Sequence, residues 1–158
     1  MLASTALLLM SAALDAAEPP ELVEGLWSIH SQTTDNPGNK QSASTSTLCR
    51  SHAYDKHALE LAKTMNHCVV NESADANKFS VTTHCLIAGT IIDSASTATF
   101  TGNTAVHSET RATYSPALGS IRETLVVQDE QYLGSCPAGL RPGDVRRADG
   151  KIVHLWTQ

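Results

Sequence analysis

The chain has 158 residues, a formal net charge of −5 and 4% aromatic side chains. That length fits one domain, and the roughly 140 residues that follow an apolar start suffice to bury about two thirds of the unfolded surface. Its eleven Lys and Arg residues are scattered apart from Arg146-Arg147. No basic stripe exists to track a phosphate backbone, which excludes nucleic acid as a partner.

The run from Leu2 to Leu14 is apolar but too short to span a bilayer, and small and acidic residues follow it before Pro19-Pro20. That order is a secretory leader's, so residues 1–17 are assigned to a signal peptide and the mature chain carries no transmembrane span. The cut site stays open, because Ser11/Ala13 satisfy the small-x-small rule and Asp15/Ala17 violate it. No basic residue precedes the apolar run, and the alternative is a buried N-terminal helix.

From Gly25, Trp27, Ile29 and Ser31 alternate with Leu26, Ser28 and His30, which is strand periodicity. After a turn at DNPGNK, the run SASTSTLC is polar and β-tolerant and is expected as an exposed or edge strand ending at Cys49. Ala58, Leu59, Ala62 and Met65 then fall at helical spacing with Glu60 and Lys63 on a flank, predicting one short helix over 54–65. HCVVNES and NKFSVTTHCLIAGT are the next strands. In the second, Phe79, Val81, Thr83, Cys85 and Ile87 share a face, which turns Cys85 inward. TIIDSASTATF and TAVHSETRATY flank TGN as a hairpin with a glycine turn. SIRETLVVQ is the last clear strand, and DEQYLGSC carries the chain to Cys136. Beyond it the prolines and glycines of CPAGLRPGDVRRADGK predict that pairing stops, with order returning only at KIVHLW.

The expected fold is all-β, an antiparallel meander forming a curved sheet or incomplete barrel with one helix inserted near residues 54–65. The domain spans 22–136 and a tail occupies 137–158. Trp27, Phe79, Val81, Ile87, Phe100 and Leu125 are expected on a common inner face, with the threonine-rich face toward water.

Cys49, Cys68, Cys85 and Cys136 are even in number and, after export, would enter an oxidising space where pairing is the default. Three connectivities are open. The preferred one joins Cys49 to Cys68, closing the helical excursion, and Cys85 to Cys136, tying the last strand to the middle.

Taken in order, GLW shortly after a leader, LCRSHAYDKHALELA, a second cysteine, VTTHC, FTGN and YLGSCPAGLRPGD resemble the bacterial domain-of-unknown-function family 3617 over Val23 to Asp144. The resemblance implies an exported, disulfide-bearing β domain and supplies no reaction. With three methionines, the chain departs from the methionine-rich composition common among similar proteins, which weakens methionine-based metal binding.

Candidate chemistry is sparse. Cys136, in GSCPAG, is a nucleophile only if unbridged, and no G-x-S-x-G elbow occurs. His67-Cys68 and His84-Cys85 offer soft ligands, but neighbours on a strand point to opposite faces, and His52 and His57 stand badly for one ion. Neither a metal nor a cofactor is assigned. Glu109 and Glu123 are expected across adjacent strands, where Arg111 and Arg122 make a solvated charged face more natural than a hydrolytic dyad. Asn71-Glu72-Ser73 matches a glycan acceptor by chance. A non-catalytic binding or accessory role remains, for a small apolar ligand held near Trp27 and Phe79 or for a protein partner in the cell envelope, in the periplasm or outside the cell. The alternative is a metal-binding or thiol-dependent enzyme.

Overall fold

The computed structural model describes residues 18–64 and 67–156, so the leader at 1–17 and Met65 lie outside the described residues. Nine strands and one helix follow in the order β1 (Gly25–Asn36), β2 (Lys40–Arg50), α1 (His52–Lys63), β3 (Cys68–Asp75), β4 (Lys78–Ile87), β5 (Thr90–Thr101), β6 (Ala105–Leu118), β7 (Ile121–Gly134), β8 (Asp144–Arg147) and β9 (Ile152–His154). All pair antiparallel in one open sheet, ordered β3-β4-β5-β6-β7-β1-β2-β8-β9. The fold is thus all-β with one short helix. No described helix is long and apolar enough to cross a membrane.

Strands β3 to β7 form a meander of tight hairpins, and β1 docks on β7 to carry β2, β8 and β9. Trp27 on β1 and Phe79 on β4 stand four places apart, about 19 Å in a flat sheet at the usual strand spacing. Both belong to one buried cluster with Leu22, Phe100 and Val106, so the sheet curls around that end. The β1–β7 seam has a register shift at Leu26/Trp27. There Gly25 adopts a φ of 142°, and a Cβ on it would lie 2.3 Å from the Gly134 carbonyl oxygen. Only glycine fits this approach.

Helix α1 starts two residues before the expected Tyr54 because Ser51 caps it, its side chain accepting the Tyr54 N–H at 3.2 Å. The cap is polar and so falls outside the apolar stripe that reveals a helix. The chain beyond Cys136 does not stop pairing: β8 bonds β2 across Ser46–Leu48, and β9 extends the sheet. Proline and glycine there bring the chain back to the sheet. Gly143, buried at φ 85°, lies where a Cβ would meet the Trp156 Cβ at 2.8 Å. In consequence β2 is an edge only over its first half, since β8 covers its end.

Leu125 lies on the outer face, opposite Thr34 and Arg111, while its neighbour Val126 pairs with Thr33 and Thr110 on the inner side. Three consecutive apolar residues, Leu125 to Val127, hide the alternation that would have shown this. Nor is the hydroxyl-rich surface confined to the watered side. Ser31, Thr33, Thr83, Ser94, Ser96, Ser108 and Thr110 line the inner face and are half-buried.

The disulfides are Cys49–Cys136 and Cys68–Cys85, which corrects the expected pairing of Cys49 with Cys68 and Cys85 with Cys136. Cys68 sits directly opposite Cys85 in the β3–β4 register. The helix takes the chain from β2 to the far edge of the sheet, so Cys49 and Cys68 are close in sequence and distant in the sheet order. Cys136 lies past the end of β7, where the returning loop also bonds β2, the Gly143 N–H donating to the Cys49 carbonyl at 2.8 Å.

Candidate functional site

The inner face has two regions of different chemistry. At the curled end Trp27 has no exposed surface, its Nε1–H donates to the Val23 carbonyl at 2.9 Å, and Tyr132 meets its ring edge-on at 5.9 Å. Val81, Ala98 and Tyr132 close around the cluster that holds Trp27 and Phe79. The two expected ligand-binding residues are therefore brought together, in one buried cluster. Leu22 joins the cluster from the entering segment, which the bond from the Val23 N–H to the Asn103 carbonyl at 3.0 Å holds over the β5–β6 turn.

A charged group borders this cluster. The Arg50 guanidinium stands 5.0 Å over the Trp27 ring, and its Nη1 donates to Glu130 Oε2 at 2.9 Å. Glu130 Oε1 accepts from Gln128 Nε2 at 2.8 Å. Arg50 Nε is 2.9 Å from Asp55 Oδ1, an ion pair in which the buried N–H is not directed at the carboxylate. Burial pushes the Asp55 carboxyl above its ordinary pKa against the pull of Arg50, and burial likewise raises the Tyr54 phenol. These contacts fasten the first turn of α1 to the sheet. His52 adds to them, its backbone N–H donating to Glu24 at 2.9 Å and its Nε2 lying 2.9 Å from the Leu22 carbonyl oxygen.

Further from the curled end the inner face is lined by hydroxyls that satisfy one another across strands, Thr83 with Ser94 at 2.7 Å and Ser96 with Thr110 at 2.8 Å. Such a surface offers weak donors and acceptors without a group of shifted acidity.

The outer face carries histidine–carboxylate pairs. His107 Nδ1 lies 2.7 Å from Asp129 and its Nε2 3.4 Å from Glu109; hydrogen bonds to these two carboxylates, Asp129 first, raise its pKa. His84 pairs with Asp93 at 2.6 Å. Arg111 pairs with Glu123, through Nε at 2.8 Å, and together with Asn36 it lowers the Glu123 pKa. Glu109 and Glu123 do not converge: Glu109 stands opposite Val127, and Glu123 opposite Thr113. The outer side thus behaves as a solvated charged face. Open depressions of about 360 and 320 Å³ lie here, the larger around Ala95 between His84 and Arg111, the smaller beside His107 and Asp129. Neither is lined by Trp27 or Phe79.

All four cysteine sulfurs are bridged. His84 is exposed while Cys85 is buried, the opposed placement that strand geometry requires. His52 serves the entering segment, and His57 stacks on Trp156 at 5.7 Å. Among the described residues no three His, Cys, Asp or Glu side chains surround one point. Arg50 and Leu22 are the residues that sequence reasoning missed; Arg50 meets Glu130, 80 positions away, and the ring of Trp27 on the neighbouring strand, and Leu22 bonds His52, 30 positions away, contacts that no local pattern records.

Comparison of the chain with protein-family models and with curated proteins finds no match.

Proposed function

We propose that this chain is an exported, non-catalytic accessory module of a bacterial cell envelope, akin to family 3617, that works by binding a protein partner through its surface. The carrying observation is where the apolar side chains stand. Trp27 is completely buried and Phe79 8% exposed, whereas Leu86 and Leu118 are each more than half exposed. Leu86 and Ile91 face each other beside the β4–β5 turn, and Leu118 stands at the neighbouring β6–β7 turn. From Leu86 to Ile92 and from Tyr114 to Ile121 no charged residue occurs. Exposed aliphatic groups concentrated on adjacent hairpins suit contact with another macromolecule. An interior packed by its own side chains gives a small apolar ligand less to occupy.

Two bridged cysteine pairs fit an oxidising compartment and leave no thiolate for the enzymatic alternative. Native mass measurement on protein extracted from an envelope fraction tests the reading: the expected result is a complex with another polypeptide. A co-purifying small apolar molecule would replace this reading with a carrier. Two or more thiols labelled on denatured, unreduced protein would return the enzymatic alternative.

A further inference from the structure

The two edges of the sheet are treated differently. At one, β9 is three residues long, the Leu155 N–H folds back to the Gly143 carbonyl at 3.0 Å, and Trp156 packs near Tyr54 and His57. The uncovered first half of β2 on that side opens with Lys40, a charge that blunts an edge. At the other, β3 runs for eight residues in unbroken register with β4 and, among the described residues, has a strand neighbour on one side only. Its sequence CVVNESAD contains no proline, lysine or arginine, its charges are Glu72 and Asp75, and no bulge interrupts it. Val69 is 61% exposed. The Cys68–Cys85 bridge fastens this strand to β4 and holds it extended, so little ordering remains to be done on docking.

The backbone polarity follows from the ladder. The Leu86 N–H donates to the His67 carbonyl at 3.0 Å. By antiparallel alternation the odd-numbered residues of β3 bond to β4, and the N–H and C=O groups of Cys68, Val70 and Ala74 aim away from the sheet.

We propose that β3 is a dimerisation edge, pairing antiparallel with β3 of a second copy of this chain about a two-fold axis at Asn71. In this register the strands overlap from end to end: Cys68 faces Ala74 of the second copy, Val69 faces Ser73, and Val70 faces Glu72. Asp75 faces His67 of the second copy at both ends, placing an acid beside an imidazole. Moving the axis to Glu72 would set two carboxylates directly opposite each other, which costs stability. The outward groups of Cys68, Val70 and Ala74 then fall at hydrogen-bonded positions, and Asn71 meets its own copy at a non-hydrogen-bonded one. This edge is distinct from the hairpin turns invoked above, so the dimer stands or falls independently of the accessory role.

The register gives a sharp test on the purified full chain. Asn71→Cys puts two thiols at a closely spaced position on the exposed face, where an antiparallel pair accepts a disulfide. Ser73→Cys puts the new thiol opposite Val69, out of reach of its own copy. On mild oxidation N71C is expected to give a covalent dimer and S73C none, with the Cys68–Cys85 peptide intact in both. Sedimentation of the unmodified protein should show a concentration-dependent dimer. Val70→Pro should abolish it, since the lost N–H points away from β4; if that variant fails to fold, the two cysteine variants still decide. A monomer at every concentration, equal crosslinking of N71C and S73C, or a dimer in which neither crosslinks overturns the proposal.

Discussion

Asp144 is 1% exposed and the one fully buried acid among the described residues. It opens β8, its Oδ2 accepting the Arg141 N–H at 2.9 Å and its Oδ1 pairing with His154 Nδ1 on β9. A buried carboxylate is tolerated only where such partners replace water. The Arg141 N–H first, and His154 second, hold its pKa below the ordinary carboxylate value. A pKa depressed by folding contributes stability that is present above the unfolded-state pKa and is lost as pH falls through the folded one. Asp144→Asn keeps the shape and removes the charge, so it is expected to cost about 1.5–3 kcal/mol at neutral pH and progressively less below the carboxylate range. Urea unfolding of both proteins at pH 7 and pH 3 checks this; an equal cost at the two values would show that the charge has no part.

At the scale of elements, the bridges divide the work. Cys49–Cys136 spans 87 positions and Cys68–Cys85 spans 17. If constraint of the unfolded chain dominates, the longer bridge contributes about 4.6 kcal/mol and the shorter about 3.2. The double variant Cys49→Ala/Cys136→Ala should therefore lose more stability than Cys68→Ala/Cys85→Ala. Denaturant midpoints measured with m-values decide it, and the reverse order would mean that the edge strand depends on its bridge for more than chain entropy. Much of this architecture was legible in the residues. Alternation located β1, β4, β5 and β6 and turned Trp27, Phe79 and Cys85 inward, because a period of two survives wherever one face is buried. It failed at Leu125, inside a continuous apolar run, and at β8, where Pro142 and Gly143 look like a departure yet form the return to β2; order at β9 falls inside KIVHLW, where it was expected. The pairing of sulfurs was not readable, since it depends on which strands the helix separates. Of the site, Trp27 and Phe79 were found by pattern, but Arg50 over Trp27 and Leu22 in the cluster arise from contacts between separate segments.

At the scale of the molecule, the β1–β7 seam decides whether the sheet behaves as one body. It joins the β3–β7 meander to the β1-β2-β8-β9 half, and Trp27 sits on it, beside Tyr132 of β7 and opposite Leu48 of β2. With Leu22 bonded over the β5–β6 turn through its neighbour Val23, the same cluster reaches both halves. Trp27→Ala is expected to cost about 3–5 kcal/mol, as large-to-small changes at buried aromatics do. Because the lost contacts belong to both halves, amide exchange in β2 and in β5–β6 should accelerate together. Trp156→Ala makes the contrast. Its ring touches Tyr54 and His57 of α1, so exchange should rise in α1 and around Gly143 while β5–β6 stays protected. If Trp27→Ala released one half and left the other's protection unchanged, the sheet would unfold as two units divided at this seam, with its continuous hydrogen-bond ladder carrying no cooperativity.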